Sequence, residues 1–343
     1  MKAIFFEQHG GPEVLRFADL PDPEPKPGEA LIRVRAVALN HLDIWVRYGW
    51  KGLQLAMPHI LGSDVAGEVV KVADDQSRWK LGDRVILNPG IVSGEDEWTR
   101  RGQHSLSPSY RILGEQVRGG LAEYVIAPIE NLLQLPQQID FTHGAAPILV
   151  GVTCWRMLFK RALLQPGEHV LIVGAGGGVN SLALSLCRSV GCTVYALTSG
   201  AEKVKRAEEL GAQYVIDYSK VQNWHVEVLK LSRGRGVDVV VDNVGQATIA
   251  KSIRAAARGG RIVTVGNTSG HDIRFDNRLI FTKQLSILGS TMGSTQDFHD
   301  AMQYLWDNNI PIPIDRVDPL SKGIEMLQRL EEGKQFGKIV LTP

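Results

Sequence analysis

A glycine-rich turn between an apolar strand and a helix most limits how this chain can fold. The run HVLIVG, residues 169–174, leads into GAGGGVN, residues 174–180, and then into the helical stretch SLALSLCRSVG, residues 181–191. Glycines at such a turn let the backbone approach a pyrophosphate, and the helix N-terminus offers unpaired N–H groups to its charge. This order of elements predicts dinucleotide binding rather than a merely tight turn.

The segments on either side of this turn indicate the fold class. After about residue 141, apolar strands such as TVYALT and VDVVVD alternate with helices such as AEKVKRAEELGA. Near-unbroken apolar strands with helical crossovers predict a doubly wound parallel sheet covered on both faces, which is an α/β fold. The first third instead has short strands separated by Gly and Pro, which favours a separate β domain.

Composition excludes several classes of function. The 343 residues suggest about two domains, and 44% of them are hydrophobic with a net charge of +1. Balanced charge gives no reason to expect nucleic acid or a membrane surface as a partner, and no apolar run suits a spanning helix or a signal peptide. The three cysteines form no C-x2-C pair and no even-numbered disulfide framework. We therefore expect a cytoplasmic protein that acts on a small molecule.

The second strand of the series bears on the choice of cofactor. An NAD site usually has Asp or Glu at its end to hold the ribose 2′-hydroxyl, but this strand ends in Thr198, Ser199 and Gly200. Hydroxyls and a cation suit a 2′-phosphate better, which makes Thr198, Ser199, Lys203 and Tyr218 candidate ligands. The pattern favours NADP(H) over NAD(H), although Lys203 could also be an ordinary solvated helix residue.

A second pattern lies between Asn88 and Tyr110. Four positions there have the spacing C-x2-C-x2-C-x7-C of a four-cysteine zinc lobe, yet they hold Ser93, Asp96, Thr99 and Ser107. Hydroxyls and one carboxylate are poor substitutes for four thiolates. We expect a lobe that keeps its shape by packing and hydrogen bonding without structural zinc.

The chain resembles the medium-chain dehydrogenase/reductase superfamily over nearly its full length. Besides the glycine-rich turn, the resemblance rests on ordered segments: GGPEVL, ALNHLDIWVRYG, GSDVAGEVVKV, GDRV, GLAEYVIAP, DNVG and the closing GKIVL. It implies a GroES-like β domain over residues 1–150, completed by residues 290–343. It also implies a Rossmann dinucleotide-binding domain over residues 151–289.

The same resemblance locates the positions that hold catalytic zinc in the zinc alcohol dehydrogenases, which use Cys, His and Cys with a nearby Glu. Here these positions hold Asn40, Ser63, a residue near Leu149, and Asp64. Such side chains do not make a tight zinc site. We therefore expect no zinc, with His41, His59 and Asp64 left as the groups that could bind a residual metal.

Without such a Lewis acid, the resemblance implies hydride transfer to a quinone or to an α,β-unsaturated carbonyl. Asn40 is the candidate donor to the substrate oxygen, or a turn residue bonded to its own backbone. His41 and Asp43 are the candidate proton relay, although Asp43 could simply pair with Arg47 one helical turn on. The predicted cofactor-binding residues are Thr153, Gly174, Gly176, Gly177, Gly178, Val179, Asn180, Thr198, Ser199, Lys203, Tyr218, Asn243, Gly266, Asn267, Ser290 and Met292.

Asn180 departs from the usual motif, which has glycine at the end of the turn. An asparagine there can adopt unusual backbone angles or donate to phosphate, with looser packing of helix against strand. Two other functions stay open: a zinc-type alcohol dehydrogenase with unusual ligands, and an NADPH-binding protein with a mainly structural or regulatory role. The strand QLSILGST resembles the family's intersubunit edge, which implies a homodimer or homotetramer.

Overall fold

The computed structural model describes residues 1–74 and 77–343. These residues divide into two compact units. The first contains Met1–Val152, Gly293–Met302 and Ile314–Pro343, and the second contains Thr153–Met292 and Gln303–Pro313. Residues 303–313 thus group with the second unit, although the expected bounds place them in the first domain. Within the described ranges, no helix is both long and apolar enough to cross a membrane.

The strands are numbered along the chain. They are β1 Lys2–Phe6, β2 Arg16–Asp19, β3 Glu29–Ala38, β4 His59–Ile60, β5 Asp64–Val72, β6 Arg84–Leu87, β7 Gly90–Ile91, β8 Arg111–Ile112, β9 Tyr124–Pro128, β10 Leu132–Gln134, β11 His169–Val173, β12 Thr193–Thr198, β13 Tyr214–Asp217, β14 Val237–Asp242, β15 Ala256–Thr264, β16 Ser286–Gly289, β17 Ile314–Pro319 and β18 Lys338–Thr342.

The α-helices are numbered in the same way. They are α1 His41–Tyr48, α2 Phe141–Ala145, α3 Ile148–Trp155, α4 Gly178–Ser189, α5 Ala201–Glu209, α6 Trp224–Leu231, α7 Ile249–Ala255, α8 Asn277–Lys283, α9 Thr295–Asp307 and α10 Gly323–Glu331. Helix α4 begins three residues earlier than the sequence pattern predicts, because its first residue is the last glycine of the turn.

The second unit is built on a parallel sheet of strand order β13-β12-β11-β14-β15-β16. Strand β11 lies at its centre and is buried at Val170, Leu171 and Ile172, as an interior strand covered on both faces must be. Helices connect successive strands. The order reverses direction at β11, and open α/β sheets bind ligands beyond the carboxyl ends of the strands at such a point. The predicted α/β class with a Rossmann sheet is confirmed.

The main sheet of the first unit has the order β10-β6-β5-β3-β18-β17, with β9 also paired to β3. Strand β3 alternates buried Ile32 and Val34 with exposed Arg33 and Arg35, the period-two pattern of a strand with one face on the core. The C-terminal strand β18 pairs antiparallel with β3. Residues from the far end of the chain therefore complete the sheet that begins near residue 29.

The lobe between Asn88 and Tyr110 is held by hydrogen bonds centred on Asp96. Asp96 Oδ1 accepts from the backbone N of Trp98 and of Thr99, at 2.8 Å each, and Asp96 Oδ2 accepts from Ser107 Oγ at 2.6 Å. Ser107 Oγ also lies 2.9 Å from Ser109 Oγ. Three of the four positions with zinc-lobe spacing are thus joined through one carboxylate, whereas Ser93 is exposed.

The hydrogen bond from Ser107 holds the pKa of Asp96 below its ordinary value, so this carboxylate is ionised at neutral pH. An ionised carboxylate accepts hydrogen bonds only, which suits the hydroxyl and amide donors around it. The lobe therefore has a negatively charged centre in the place where four thiolates would surround a cation.

We expect Asp96→Asn to loosen this lobe, because an amide offers one acceptor oxygen where the carboxylate has two. Trypsin cleavage after Arg100 and Arg101, both exposed, measures the opening directly. The variant should be cut several-fold faster than the wild type, while Glu95→Gln, at an exposed neighbouring side chain, should behave as the wild type. Equal cleavage rates in Asp96→Asn and Glu95→Gln would show that the carboxylate is not what holds the lobe.

Candidate functional site

Three strands bring a cluster of polar side chains together at the end of β3. Ala38, the last residue of β3, is paired with Asp64 of β5 on one side and with Val340 of β18 on the other. Leu39 N donates to Ile339 O at 2.9 Å, which continues this pairing by one residue. Asn40, Asp64 and Lys338 therefore meet at one edge, although they come from distant parts of the chain.

The cluster is buried and its members are directly bonded. Lys338 Nζ donates to Asn40 Oδ1 at 2.6 Å and to Asp64 Oδ2 at 2.9 Å. Asn40 Nδ2 donates to Asp64 Oδ2 at 2.9 Å, and Leu149 N donates to Asp64 Oδ1 at 2.8 Å. Asn40, Asp64 and Lys338 are 6%, 0% and 2% exposed. The amide, the carboxylate and the ammonium thus satisfy one another.

Electrostatics explain why these groups can be buried together. Burial raises the pKa of Asp64, and the Lys338 ammonium opposes that rise by favouring the charged carboxylate. A buried ion pair survives desolvation when its geometry is good and its remaining lone pairs are hydrogen-bonded. Here the two bonds from Asn40 and Leu149 to the carboxylate supply that condition.

This set of groups does not suit a zinc ion. The positions that the resemblance aligns with zinc ligands hold the amide of Asn40, the hydroxyl of Ser63 and a residue near Leu149. The nearby Asp64 carboxylate already accepts from the Lys338 ammonium and the Leu149 amide. Ser63, between Gly62 and Asp64, is fully buried. In residues 1–74 and 77–343, no group of three or more His, Cys, Asp and Glu side chains is arranged to hold a metal.

His59 lies in the core of the first unit, away from solvent. Its ring Nε2 is 3.3 Å from the backbone O of Gly114, and burial lowers its pKa to about 4. The imidazole is therefore neutral at physiological pH and is occupied by a backbone carbonyl. The sequence left His59 only as a group that could bind a residual metal, and among the described residues it belongs to no group of three or more His, Cys, Asp and Glu side chains that could hold one.

Asp43 fastens the start of α1 to the neighbouring loop. Its Oδ2 accepts from Asn40 N at 2.7 Å and its Oδ1 accepts from Gly62 N at 2.9 Å. Gly62 has φ +97°, and a Cβ there would lie 2.9 Å from the backbone N of Leu121, so this position requires glycine. Asp43 thereby fixes the backbone on both sides of the cluster, at Asn40 and at the residue before Ser63.

Burial raises the pKa of Asp43 to about 6, against the two backbone bonds that lower it. A carboxyl group with this pKa exchanges a proton near neutrality, but both of its oxygens already serve backbone amides. The expected pairing with Arg47 is not among its bonds, because Arg47 instead makes a two-oxygen contact to Glu331 at 2.9 Å. The proton-relay role of Asp43 stays a prediction.

His41 begins α1 directly after Asn40. Its ring packs edge-on against Trp45 with ring centroids 5.2 Å apart. Burial lowers its pKa below the ordinary value, with Glu331 acting in the opposite direction. The imidazole is thus mainly neutral at pH 7, and it can act as a proton donor more readily as the pH falls.

In the second unit, the predicted cofactor residues follow the carboxyl ends of successive parallel strands. Gly174 follows β11, Thr198 ends β12, Tyr218 follows β13, Asn243 follows β14 and Ser290 follows β16. The topology thus brings to one edge residues that are far apart in sequence. Most of the remaining members lie in the segments that follow the strands of this sheet: Gly176, Gly177, Gly178, Val179, Ser199, Lys203, Gly266, Asn267 and Met292. Thr153 lies in α3 instead, where its Oγ1 is 3.8 Å from Met292 Sδ.

Two observations suit a bound dinucleotide at this edge. Gly174 has φ +79°, which lets the backbone turn sharply between β11 and α4 and leaves the helix N-terminus open to an anion. Ser290 Oγ is buried and, in the described part of the chain, has no hydrogen-bond partner. A buried hydroxyl of this kind is satisfied when a ligand supplies the missing group.

Asn180 shapes the turn. Its Nδ2 donates to Val173 O at 2.7 Å and to Gly174 O at 3.0 Å, and its Oδ1 accepts from Asn243 Nδ2 at 2.6 Å. Asn243 Oδ1 in turn accepts from Val265 N at 2.8 Å. Both amide hydrogens of Asn180 thus serve backbone carbonyls, so the helix is tied to β11 where a glycine would only permit close packing. Direct phosphate binding by Asn180 stays a prediction.

The end of β13, beside the end of β12, contains a carboxylate that the sequence did not single out. Asp217 Oδ1 accepts from Ser219 Oγ at 2.5 Å and from Gly200 N at 3.4 Å, and the Ser219 bond lowers the pKa of Asp217. This negative charge lies beside Thr198 and Ser199, because Tyr218 N donates to Thr198 O at 3.0 Å. Thr198 and Ser199, two of the candidate 2′-phosphate ligands, are therefore next to a carboxylate.

Lys338 is the other residue that the sequence analysis missed. In GKIVLTP it stands at the start of a strand, where a lysine is ordinarily exposed. The apolar run that follows Lys338 could have indicated its burial, because a strand this apolar usually lies in the centre of its sheet. A lysine at the end of a central strand needs a buried acidic partner.

We expect the stability of the protein to depend on pH through Asp43. The pKa of Asp43 is raised from 3.8 to about 6 in the folded protein. The contribution of the protonated Asp43 carboxyl to the free energy of unfolding is therefore fully present below pH 3.8 and is lost as the pH rises through about 6. The difference amounts to roughly 3 kcal/mol of unfolding free energy. Asp43→Asn should abolish this part of the pH dependence and should also cost about 1–3 kcal/mol, because one backbone amide loses its acceptor.

Urea unfolding between pH 4 and pH 8 measures both effects. Asp272→Asn, at an exposed position of the second unit, is the matched control and should keep the wild-type profile. A wild-type pH profile in Asp43→Asn would mean that burial does not perturb this carboxyl group.

Comparison with known proteins agrees with this geometry. The alcohol dehydrogenase GroES-like domain model matches residues 26–137, and the zinc-binding dehydrogenase model matches residues 178–307. The chain is 30% identical over 352 residues to an NAD-dependent alcohol dehydrogenase of Sulfurisphaera tokodaii, with 100% of each covered. It is 31% identical over 351 residues to a quinone oxidoreductase of Pseudomonas aeruginosa, covering 100% of this chain and 99% of the relative.

Among solved structures, the crystal structure of an NAD-dependent alcohol dehydrogenase is similar with a TM-score of 0.95, at 39% identity and with 100% of both chains covered. The relatives thus carry two activity names, and both are oxidoreductases. The resemblance inferred from the sequence is confirmed: the chain is an oxidoreductase that belongs to the medium-chain dehydrogenase/reductase superfamily.

Proposed function

We propose that this chain is an NADPH-dependent, zinc-independent oxidoreductase that transfers hydride to a quinone or an α,β-unsaturated carbonyl. One observation supports the proposal: the Lys338 ammonium bonds to Asn40, which the resemblance aligns with a zinc ligand, and to Asp64, which it aligns with the Glu near the zinc. A bound zinc would lower the pKa of an alcohol, as alcohol oxidation requires. Here the ammonium is already neutralised by Asp64, so the cluster offers no comparable positive charge.

Reduction of an activated acceptor does not require the Lewis acid that alcohol oxidation needs. Bound NADPH would supply a hydride, with both electrons, to the β-carbon of an enone. The acceptor would then carry negative charge on its oxygen as an enolate. That oxygen needs a hydrogen-bond donor, and the α-carbon then needs one proton. The products are the saturated carbonyl and NADP⁺.

The first unit contains groups for both needs. Asn40 has an Nδ2 group that uses one hydrogen on Asp64, which leaves its other N–H for the substrate oxygen. His41, next along the chain, is the proposed proton donor, with solvent water restoring its proton. Asp43 holds Asn40 N and Gly62 N and keeps these groups in place.

Substrate and metal measurements on one sample test the reaction. We expect NADPH oxidation by quinones or enones at rates that a strong chelator leaves unchanged, with far less than one zinc per chain by elemental analysis. Near-stoichiometric zinc together with chelator-sensitive alcohol oxidation would instead establish the alcohol dehydrogenase alternative. Tight NADPH binding with no turnover on any acceptor would favour a structural or regulatory role.

The choice of NADP(H) is a separate proposal, supported by hydroxyl and cationic side chains beyond β12. Thr198 and Ser199 end that strand, Lys203 lies in the first turn of α5, and Tyr218 is 45% exposed. These groups suit a 2′-phosphate. Asp217 acts against it, since its charge lies within 3.4 Å of Gly200 N.

We expect Lys203→Ala and Tyr218→Phe each to raise the KM for NADPH about tenfold, the effect of losing one hydrogen bond to a charged group, with little change for NADH. Asp217→Asn should lower the KM for NADPH because a repulsive charge is removed. Lys205→Ala on the same helix, whose side chain is 76% exposed, is the control. If NADH is the better substrate and Lys203→Ala alters neither KM, the cofactor assignment is wrong.

A further inference from the structure

The buried ammonium of Lys338 has a consequence for the chemistry of Asn40. An asparagine side chain has two ends of nearly equal shape, an acceptor oxygen and a donor nitrogen, so packing alone does not decide which way it points. The charged groups that contact the amide of Asn40 determine its orientation. Lys338 Nζ can only donate, and it lies 2.6 Å from Asn40 Oδ1.

The carboxylate of Asp64 fixes the opposite end. An ionised carboxylate can only accept, and Asp64 Oδ2 lies 2.9 Å from Asn40 Nδ2. Turning the amide over would set its NH₂ group against an ammonium and its oxygen against a carboxylate. Two charge-assisted hydrogen bonds, each about twice as strong as a neutral one, would then become two repulsive contacts. The amide of Asn40 therefore has one allowed orientation.

This orientation also strengthens the donor. A cation on the oxygen of an amide draws electron density from its nitrogen, so the remaining N–H becomes a better hydrogen-bond donor. Asn40 is 6% exposed, so this N–H lies in a largely dry environment, where electrostatic interactions are stronger than in water. A fixed, polarised donor of this type stabilises negative charge that develops on a substrate oxygen.

We propose that Lys338 is a positioning residue for the reductase reaction: its ammonium holds Asn40 Oδ1 so that the second Nδ2 hydrogen of Asn40 is presented to the acceptor's oxygen. The proposal rests on the proposed function, because it assumes an acceptor whose oxygen gains negative charge. Lys338 itself does not touch the substrate. Its positive charge is balanced by Asp64, and its effect reaches the reaction through Asn40.

A double-mutant cycle in kcat distinguishes this role from a general structural one. We expect Asn40→Ala to lower kcat by about 10²-fold, as loss of one oxyanion donor does, and Lys338→Met to lower it by roughly tenfold or more. In Asn40→Ala/Lys338→Met the second change should have no further effect, because its target is gone. Multiplicative losses would overturn the proposal, as would a wild-type kcat in Lys338→Met.

A second set of variants tests the proposal if Lys338→Met does not fold because Asp64 is left charged and unpaired. Lys338→Met/Asp64→Asn removes both charges and keeps an oxygen for Leu149 N. The same cycle with Asn40→Ala then applies, with the same expected loss of additivity. Lys322→Met is the matched control, since its ammonium is 54% exposed and belongs to the same unit.

An NMR measurement separates failure of this inference from failure of the proposed function. With ¹⁵N-asparagine labelling, the side-chain NH₂ resonances of Asn40 are identified by their absence in Asn40→Ala. We expect Lys338→Met, or its charge-neutral double variant, to shift this pair and bring its hydrogen exchange closer to that of an exposed amide, while Lys322→Met leaves it unchanged. Unchanged Asn40 resonances would overturn the positioning role, whatever substrates the wild type reduces.

Discussion

The first unit depends on one buried ion pair, between Lys338 and Asp64. Each charge alone would cost several kcal/mol to bury, and each is tolerated because the other lies 2.9 Å away and Asn40 and Leu149 satisfy the remaining groups. The two residues are 274 positions apart. The pair therefore forms only when the C-terminal strand β18 has paired with β3. The same strand pairing that completes the sheet therefore also brings Lys338 to Asn40 and Asp64.

The parallel sheet and its ligand edge were predictable from the sequence because their signals are local. A run such as VDVVVD is apolar at nearly every position, and the glycines of residues 174–178 are adjacent to both the strand and the helix that they join. The carboxyl ends of parallel strands lie at one edge of the sheet. Asn243 and Ser290 could therefore be placed near Gly174 from the strand order alone, without a measured interatomic distance. The bond between Asn180 and Asn243 was not predictable, since 63 residues separate the two side chains and nothing in either segment indicates the other.

The polar cluster was predictable only in part. Asn40 and Asp64 were singled out because the resemblance aligns them with a zinc ligand and with the Glu near the zinc, but the partner that fixes their orientation is Lys338. Its burial follows from which strand pairs with β3, and that is a long-range property that a single sequence does not display. Asp43 shows the same limit. A spacing of four residues from Arg47 favours a helical ion pair, but Asp43 accepts from the backbone N of Asn40 and Arg47 donates to Glu331. Sequence patterns predict contacts between residues that are close along the chain. These hydrogen bonds join residues that become neighbours only in the folded protein.

At the two places that the sequence pattern and the resemblance align with metal sites, the polarity of the surrounding groups determines the charge of the group that joins them. In the lobe around Asp96, the neighbours are hydroxyls and backbone amides, which donate, so the group that joins them is an anion. Around Asn40 and Asp64, the neighbours are an amide oxygen and a carboxylate, which accept, so the group that joins them is a cation.

A zinc ion can crosslink its ligands and also retain positive charge for a substrate. The Lys338 ammonium crosslinks equally well, but the Asp64 carboxylate cancels its charge. In the proposed reaction, what remains for the substrate is a neutral N–H on Asn40, which suits an oxygen that has just gained electrons better than an alcohol that must first lose a proton.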